Sequence, residues 1–460
     1  MQAGGILIAI DLVAREATLF AALCFFIGGI DDLLVDLAYG LGRIGRRRPD
    51  SAILHLPVPP GRIAIFVAAW DESAVIGAML RNALARFDHP DYQLYVGTYP
   101  NDPATIEAVA AVAAGDPRIR LVIGPLPGPT TKAGCLNSLW HALRRDEAQA
   151  GRPVIAVVLH DAEDMVHPLE LRVFAHHLVD HAAVQIPVLP LPHPRSRFVS
   201  GHYLDEFAEQ HAKVLVVRQA LGAAIPFAGV GCAIRRDYLG RLAEARGGEP
   251  FDAGSLTEDY ELGLAIAAMG GRTMLARVPE APGGPPVAVR AYFPDTLEAA
   301  VRQKARWMTG IALAGWDRTG WSRAGHIGDH WMRTRDRRAT LAMPVLALAY
   351  AALLLWAASY LGHLATHTRA ADLNPLVATL LWANLALVAW RLVVRALFVR
   401  HAYGWREAAW SIPRIAASNI VALLAARRAL FIYLRLLRGA KLHWDKTAHQ
   451  FPDQTGSAAA

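Results

Sequence analysis

Three apolar stretches constrain the fold more than any other feature of this sequence, because each is long enough to cross a bilayer. Residues 17–39, 341–362 and 375–399 are almost continuously apolar, and about 20 such residues span the ~30 Å hydrocarbon core of a membrane. The first stretch contains Asp31 and Asp32, so we expect this pair to face protein or to lie near the membrane surface. The sequence therefore predicts three transmembrane helices.

The overall composition agrees with a membrane protein and argues against a nucleic-acid-binding one. Hydrophobic residues make up 54% of the 460 residues and charged residues 19%, which is more apolar than an ordinary soluble enzyme. The net charge is +7, but much of the basic excess lies beside the apolar stretches, and no basic stripe with interleaved aromatic residues occurs elsewhere. Basic flanks are typical of the cytoplasmic side, so we expect the link between the second and third stretches to lie outside.

The region after residue 404 has a different pattern. Residues 405–438 mix apolar residues with six arginines, and a continuous crossing would place Arg414 inside the bilayer. We favour an amphipathic helix that lies in the membrane plane and turns at Pro413, with a further crossing as the alternative. The chain then divides into an N-terminal transmembrane segment (1–48), a cytoplasmic domain (49–335), a transmembrane hairpin (336–404) and an interfacial helix with a cytoplasmic tail (405–460).

Between the first two apolar stretches, short β-rich runs alternate with segments of helical composition. The runs cover residues 63–69, 93–99, 119–124 and 153–160. Strand–helix alternation with nearly continuous apolar strands predicts an α/β fold, with a mostly parallel Rossmann-like sheet and helices on both faces. Ligands of such sheets bind at the carboxyl ends of the strands, so we expect the site at that edge.

The residues that end the fourth run carry a dense group of carboxylates. Asp161, Glu163 and Asp164 follow His160 directly, at the edge where a ligand site is expected. A cation shared with a diphosphate would relieve their mutual repulsion, since Mg²⁺ commonly binds one or two carboxylates plus substrate phosphates. A solvated acidic loop is the alternative. His160 and His167 flank these carboxylates, and we expect neither imidazole to bind metal.

Two further polar motifs lie downstream. Glu258 and Asp259 open a predicted helix, where acidic residues are electrostatically favourable and where one carboxylate can also serve as a general base. Gln303, Arg306 and Trp307 fall on one face of another predicted helix. Arginine can bind a phosphate through two hydrogen bonds, and an indole ring offers an apolar platform for a sugar. A basic and aromatic helix at the membrane surface is the alternative for this second motif.

The order of these motifs resembles that of the family 2 glycosyltransferases, the inverting GT-A enzymes that include the membrane synthases of cellulose, chitin and hyaluronan. The order along the chain is the same as in that family: carboxylates at a strand end, the TED motif (257–259), the QxxRW motif (303–307) and then membrane spans. IAIFVAAWDES is similar to the family's opening VPAYNE pattern, TKAGCLN to its K-A-x-x-L-N pattern, and FAGVGCAIRRD to the G-x-G-x-x-x-R segment that backs the acceptor pocket. The resemblance covers about residues 60–310.

The sequence departs from the family's pattern at two places. The family's metal motif is normally D-x-D, whereas Glu163 stands at the third position here with Asp164 behind it. The resemblance therefore implies that Asp161 binds Mg²⁺ or Mn²⁺ with one of these two. The early D-D-x-S nucleotide motif is absent, and Asp102 is its candidate replacement. The residues implied to bind the nucleotide sugar are Ala69, Glu72, Asp102, Lys132, Asn137 and Asp161.

The resemblance also implies catalytic roles. Asp259, beside Glu258, is expected to deprotonate the acceptor hydroxyl, which then attacks the anomeric carbon and inverts it. Arg306 is expected to bind the developing charge on the diphosphate. Trp307 is expected to line the acceptor end of the site, and Gln303 completes the motif.

Finer similarity points to one group within the family. YPNDPAT (99–105), HDAEDMVHPLELR (160–172) and KLHWDKTAHQFP (441–452) look most like the glycosyltransferase portion of the bacterial phage-adsorption protein B group, inner-membrane proteins that act in making a secreted glycan. The resemblance implies the bacterial inner membrane with a cytoplasmic catalytic domain, a UDP-sugar donor and a glycan or lipid-linked acceptor. An outer-membrane secretion partner is a possible further partner, and the pattern of basic residues argues against nucleic acid.

Two other functions are compatible with the sequence. A non-catalytic inner-membrane scaffold could retain the transferase fold, although the intact TED and QxxRW motifs argue against it. The second alternative is a transferase that adds one sugar to a lipid carrier. Three spans and an interfacial helix are few elements from which to build a channel for a polymer.

Overall fold

The computed structural model of the chain describes residues 2–43, 51–369, 373–440 and 450–452. The basic residues at 46–48 and most of the expected tail at 441–460 lie outside these ranges. The strands are β1 (Ile63–Ala68), β2 (Tyr92–Thr98), β3 (Ile119–Ile123), β4 (Ala156–Asp161), β5 (Ala183–Gln185), β6 (Cys232–Arg235) and β7 (Thr273–Leu275).

The helices surround this sheet and extend beyond it at both ends of the chain. They are α1 (Gln2–Arg43), α2 (Ile76–Arg86), α3 (Pro103–Ala113), α4 (Lys132–Ala150), α5 (Glu170–His177), α6 (Gly201–Glu209), α7 (Leu215–Ala220), α8 (Arg236–Ala245), α9 (Glu258–Ala268), α10 (Leu297–Trp307), α11 (Gly315–Thr319), α12 (Ile327–Arg337), α13 (Ala339–Thr366), α14 (Pro375–Ser411) and α15 (Arg414–Leu437). A 3₁₀ turn covers Ser51–His55, and π-helical turns cover Gln210–Val214 and Met308–Leu313.

The seven strands form one mixed sheet in the order β3-β2-β1-β4-β6-β5-β7. All neighbours are parallel except those of β6, which runs antiparallel to β4 and β5. The four predicted strands are confirmed to within three residues at each end. The three remaining strands have three or four residues each, too few for a periodic pattern to be visible in the sequence.

Helices cover both faces of the sheet, as predicted. Alternate residues of β1 point to opposite faces, so Ile65 and Val67 pack under α2, α3 and α5, whereas Phe66 packs with α4, α8 and α9. Every residue of β1 is buried. Because β1 and β4 are parallel, their carboxyl ends lie side by side at one edge of the sheet. At this edge Ala68 of β1 is paired with Asp161 of β4.

Three of the described helices, α1, α13 and α14, are long and apolar enough to cross a membrane. They contain the three stretches predicted to do so. Asp31 and Asp32 face protein: both accept hydrogen bonds from Arg335 and Arg338 at the end of α12. The acidic pair in the first span is therefore paired with cations of the domain that follows.

A separate helix follows the third span. The chain turns between α14 and α15 at Ile412 and Pro413, where a turn was predicted. Arg414 is 1% exposed, and its guanidinium donates to Asp205, Glu407 and the carbonyl of Arg197. Its burial within protein removes the difficulty of placing this charge in lipid.

Candidate functional site

A cleft at the carboxyl-terminal rim of the sheet brings together the three polar motifs of the sequence. The residues that line it include Lys132, Asp161, Glu163, Asp164, Glu258, Asp259, Gln303, Arg306 and Trp307. These residues come from the end of β4 and the loop after it, the start of α4, the start of α9 and the end of α10. Residues more than 140 positions apart in the chain therefore share one cleft.

Asp161 and Lys132 form an ion pair at the centre of the cleft. The ammonium nitrogen of Lys132 lies 2.5 Å from Oδ1 of Asp161 and within 3.5 Å of the carbonyl oxygen of Gly229. Burial opposes the charge on Lys132, but Asp161, Glu258 and Asp259 outweigh burial and raise the pKa of this lysine above its usual value. Lys132 is also the first residue of α4, whose N-cap is Thr131. The helix N-terminus and the lysine together favour a bound anion.

Glu163 and Asp164, the two candidates for the second metal ligand, differ in how deeply they are buried. Oδ2 of Asp164 lies 2.8 Å from Nδ1 of His160 and accepts the N–H of Asp161 at 3.0 Å. Asp164 is 1% exposed, whereas Glu163 is only partly buried on the cleft wall. Asp164 is thus held by the loop itself, and Glu163 is the better candidate to join Asp161 on a cation.

Both ring nitrogens of His160 already contact carboxylates, and the expectation that this imidazole does not bind metal stays a prediction. Its ring is fully buried, and its Nε2 lies 2.6 Å from Oε1 of Glu170. Burial alone would lower the pKa of His160, but Glu170 and Asp164 raise it to about 10. The imidazolium therefore donates both N–H groups to carboxylates and fixes the loop that carries Asp161. His167 contacts Glu280 through Nε2 at 2.8 Å.

Glu258 and Asp259 begin α9 on the opposite wall from β4. Burial, and then the adjacent charge of Asp259, raise the pKa of Glu258 to about 7. Burial also raises the pKa of Asp259, although Lys132 and Arg306 act in the other direction. A carboxylate with a raised pKa, held in a cleft, suits a general base near neutral pH.

Gly229 is a residue of this site that sequence reasoning did not single out. It has φ +76°, and a Cβ atom placed on it would lie 2.6 Å from Oδ2 of Asp259. Only glycine both adopts this backbone conformation readily and leaves room for that carboxylate. The signal was present in FAGVGCAIRRD, but the sequence alone does not say which carboxylate the glycine approaches.

Gln303, Arg306 and Trp307 all lie on the cleft side of α10, as the helical spacing predicted. The indole of Trp307 packs near Tyr203 and Phe207, with ring centroids 6.1 and 6.2 Å away. Oε1 of Gln303 is buried without a hydrogen-bond partner among the described residues. An orphaned buried oxygen is costly unless a ligand donates to it.

The π-helical turn after Trp307 carries Gly310 against the start of α9. A Cβ atom on Gly310 would overlap the side chain of Thr257, and Oγ1 of Thr257 is buried without a hydrogen-bond partner among the described residues. Thr257 lines the cleft. The turn that follows the QxxRW motif therefore packs against the TED motif. Like Gln303, Thr257 has a buried polar atom without a partner among the described residues, here its hydroxyl oxygen.

The predicted nucleotide contacts at Ala69, Glu72 and Asp102 lie at the ends of β1 and β2, beside the cleft and not among its lining residues. Asp102 caps α3: Oδ1 accepts the N–H of Thr105 at 3.3 Å, and Oδ2 accepts the N–H of Asp71 at 2.6 Å. One of its oxygens thus already holds the first turn of α3, and the other holds the loop after β1. Direct contact of Asp102 with a nucleotide stays a prediction.

Asn137 is also outside the lining of the cleft. Its Oδ1 accepts the N–H of Phe251 at 3.0 Å, and its Nδ2 donates to the carbonyl of Phe251 at 2.8 Å and to Glu249 at 3.1 Å. The residue is 2% exposed. Asn137 therefore bonds the segment that precedes Glu258. Its contact with the nucleotide sugar stays a prediction.

The donor set at the rim fits a hard divalent cation that is completed by a ligand. No group of three or more His, Cys, Asp or Glu side chains arranged to hold a metal occurs in the part of the chain that the structure describes. Asp161 and Glu163 instead offer two carboxylates on one wall. Mg²⁺ and Mn²⁺ accept this arrangement when phosphate oxygens supply further ligands.

Known proteins similar to this chain include two curated relatives and a solved structure. Two curated relatives are each 36% identical to the chain over 463 residues, which cover 95% of this chain and 62% of the relative: "Bacteriophage adsorption protein B" of Escherichia coli strain K12 and "Bacteriophage N4 adsorption protein B" of Escherichia coli O157:H7. The chain thus spans less than two thirds of the length of these relatives.

A solved structure shows the fold. The mannosyltransferase PcManGT from Pyrobaculum calidifontis, in complex with GDP-Man and Mn²⁺, aligns over 93% of this chain and 99% of its own with a TM-score of 0.53 and 18% identity. At this identity the likeness shows a shared GT-A architecture and no more. The family model "Glycosyltransferase like family 2" matches residues 59–310, which hold β1 to β7 and end three residues after Trp307. The chain therefore belongs to glycosyltransferase family 2.

Proposed function

We propose that this chain is an inverting glycosyltransferase of the bacterial inner membrane. It transfers a sugar from a UDP-sugar to a glycan or lipid-linked acceptor on the cytoplasmic side, in the synthesis of a secreted or cell-envelope polysaccharide. The observation that carries the proposal is that Asp161, Glu163, Asp259 and Arg306 line one cleft. Each of these groups has a distinct part in sugar transfer.

The donor's diphosphate lies between α4 and β4. Lys132 and the N-terminus of α4 supply positive charge, and the loops after β1 and β2, with Ala69 and Glu72, hold the nucleoside. Asp161 and Glu163 would hold Mg²⁺ or Mn²⁺, which would supply electrostatic stabilisation of the leaving group. The Mn²⁺ and GDP-Man named for the mannosyltransferase structure support a metal and a nucleotide sugar, whereas the choice of UDP rests on the family resemblance.

The acceptor's hydroxyl group reaches the anomeric carbon from the side of α9. Asp259 takes the proton from this hydroxyl, and the oxygen attacks the carbon on the face opposite the diphosphate, which inverts the configuration. The raised pKa of the Glu258–Asp259 pair supports this role, because a base works best when its pKa lies near the operating pH. Gly229 allows the carboxylate of Asp259 to lie against the main chain.

Residues of α10 act on the leaving group and the acceptor. Arg306 binds the charge that develops on the diphosphate as the bond to the sugar breaks. Trp307, supported by Tyr203 and Phe207, presents its ring to the acceptor sugar. Gln303 is available for the acceptor's other hydroxyl groups, because its Oε1 is buried without a partner among the described residues.

The substitution Asp259→Asn tests the assigned base. It keeps the size of the side chain but cannot accept the proton, so turnover should fall about 10²–10⁴-fold, with UDP affinity nearly unchanged. UDP release from purified membranes supplied with a panel of UDP-sugars measures turnover, and calorimetry with Mn²⁺ measures UDP affinity. Asp237→Asn, an exposed acid on α8, is the control and should change neither quantity.

These measurements also distinguish the proposed function from the two alternatives, a non-catalytic scaffold and a transferase that adds one sugar to a lipid carrier. Full turnover in the Asp259→Asn variant contradicts this residue as the base. A wild-type protein that binds neither UDP nor Mn²⁺ favours the non-catalytic scaffold. If the enzyme is active, the length of the product separates polymerisation from transfer of one sugar to a lipid carrier, and co-purification from envelope extracts tests for an outer-membrane secretion partner.

A further inference from the structure

A second cavity lies behind α9, on the side away from Asp259. Its volume is about 780 Å³, and α9, β7, α11 and α12 border it. Arginines dominate its charged lining: Arg246, Arg272, Arg318, Arg323 and Arg333. The carboxylates on the same wall are Glu261 and Asp329.

Both of these carboxylates already form ion pairs with arginines of the cavity. Arg318 donates to Oε1 and Oε2 of Glu261 at 2.7 and 3.0 Å, and to Asp252 at 2.6 Å. Arg333 donates to Asp329 at 2.8 Å. Within the described residues, the other three arginines have no carboxylate within ion-pair distance. The cavity therefore carries a surplus of positive charge.

Of these three arginines, Arg272 lies 3.4 Å from Nε2 of His181, which also lines the cavity, and Arg246 donates to the carbonyl of Pro250. Guanidinium groups that line one cavity without carboxylate partners favour a ligand with several phosphate oxygens. An apolar ligand would leave this charge uncompensated.

An aromatic ring stands beside the arginines. Trp321 lines the cavity and is 50% exposed. The guanidinium carbon of Arg337 lies 4.8 Å from its ring centroid, and Trp316 packs edge-on at 5.5 Å. The ring of His330 lies 5.8 Å from that of Trp321, tilted by 39°. The exposed half of the indole still offers an area on which a nucleobase can stack.

We propose that this cavity binds a nucleotide, with its phosphates on Arg272 and Arg323 and its base on Trp321, at a site separate from the donor cleft. The volume of about 780 Å³ lies within the range of small-ligand pockets. The binding does not depend on the function proposed for the cleft.

One carboxylate connects this cavity with the cleft. Oε1 of Glu261 accepts from Arg318 on the cavity side and from Oγ of Ser255, which lines the cleft, at 2.7 Å. Oγ of Ser255 in turn accepts the N–H of Thr257 at 3.1 Å. A phosphate that draws Arg318 away from Glu261 therefore loosens the segment that sets Glu258 and Asp259. Binding in the cavity changes the rate of transfer, and this second step rests on the proposed function.

Calorimetry with ATP as the probe tests the binding. The full chain in detergent is titrated with ATP in EDTA, so that metal-dependent binding in the cleft is suppressed. The double substitution Arg272→Ala/Arg323→Ala should raise the Kd about tenfold or more, since it removes two charge-assisted contacts. Arg306→Ala, which removes the cleft arginine, should leave the Kd within about twofold. An unchanged Kd in the double variant, or a loss of binding in Arg306→Ala, overturns the proposal.

Two further arms identify the ligand's chemistry. Trp321→Ala should weaken ATP but not inorganic tripolyphosphate, and equal binding of ATP and tripolyphosphate to the wild type rejects the base contact. If phosphatidylglycerol in nanodiscs displaces ATP through the same two arginines, the phosphate source is a lipid headgroup and the nucleotide assignment is overturned.

Activity measurements test the coupling separately. ATP should alter UDP release several-fold in the wild type and not in the Arg272→Ala/Arg323→Ala variant, whose release without ATP should be normal. ATP that binds but leaves UDP release unchanged contradicts the coupling alone. A wild type that releases no UDP contradicts the proposed function and leaves the binding result standing.

Discussion

At the scale of single residues, Gly229 sets how closely the main chain approaches the carboxylate of Asp259. A methyl group at this position would lie 2.6 Å from Oδ2 of Asp259 and 3.3 Å from the ammonium of Lys132. We expect Gly229→Ala to displace both side chains and to lower turnover at least tenfold in the UDP-release assay.

Gly247 offers a matched control for this substitution. It has the same φ of +76°, and a Cβ atom there would have no neighbour within 4 Å. Gly247→Ala therefore carries the same backbone cost, roughly 1 kcal/mol, without contact with the cleft. Equal losses of activity in the two variants would show that backbone strain, and not proximity to Asp259, is responsible.

The pH profile should report the raised pKa of the Glu258–Asp259 pair. As the pH falls below about 7, the pair takes up a proton, and kcat/KM should decrease because the base is occupied. The apparent pKa of this acid limb belongs to the pair. In Glu258→Gln the limb should move to lower pH, because the neighbouring negative charge is gone. A flat profile between pH 5 and 8 would contradict the assignment.

Thermal stability should depend on pH in the opposite direction. The folded state holds this proton more tightly than the unfolded chain, since the pKa of Glu258 rises from 4.5 to about 7. Its contribution to stability is therefore fully present below pH 4.5 and is lost as the pH rises through about 7. The Glu258→Gln variant has no carboxylate to ionise at this position, so it should not lose stability in this way as the pH rises. Its apparent Tm near pH 8 should be higher than that of the wild type, as measured by differential scanning fluorimetry at one scan rate.

The sequence predicted which residue types meet at the cleft better than it predicted what each one does. Asp161, Asp259 and Arg306 followed from strand-end and helix-face rules, which depend on local periodicity. The roles of Asp102, Asn137 and Asp164 could not be foreseen in the same way. Each bonds a backbone group or an imidazole whose position depends on tertiary packing.

At the scale of secondary structure elements, α15 supports the helix that carries Arg306 and Trp307. Small residues make the contact close: Ala305 of α10 and Ala425 and Ala429 of α15 are fully buried together. Oγ1 of Thr309 also lies 3.4 Å from the carbonyl of Ala429. The predicted amphipathic helix is thus part of the wall behind the cleft, a contact that its own sequence pattern does not reveal.

Ala429→Leu tests this support. A larger side chain should force α10 away from α15, at a cost of about 1–3 kcal/mol for overpacking, and should lower turnover by moving Arg306. Ala416→Leu, at an exposed position of the same helix, should change neither turnover nor the apparent Tm. If Ala429→Leu lowers the Tm but leaves kcat and KM intact, the contact stabilises the fold without positioning the cleft.

At the scale of the whole molecule, ion pairs join the spans to the catalytic domain. Asp31 and Asp32 of α1 bond Arg335 and Arg338, which end α12 just before α13 begins. Arg391 of α14 lies 2.5 Å from Glu209 of the domain. Beside it, Lys213 of the π-helical turn contacts Glu209 and Asp36 of α1.

The stability of the contact between α1 and the α/β domain should therefore depend on these charged residues. Asp31→Asn/Asp32→Asn leaves Arg335, whose side chain is 10% exposed, without its acidic partners. Breaking a largely buried pair in this way costs about 3–5 kcal/mol. Asp88→Asn/Asp91→Asn removes two acids from more exposed pairs of the domain, which are typically worth under about 1 kcal/mol each. Thermal unfolding in detergent at a fixed scan rate should show a clearly larger drop in Tm for the first double variant. Equal drops would mean that packing of apolar side chains, and not this group of charges, holds the first span against the domain.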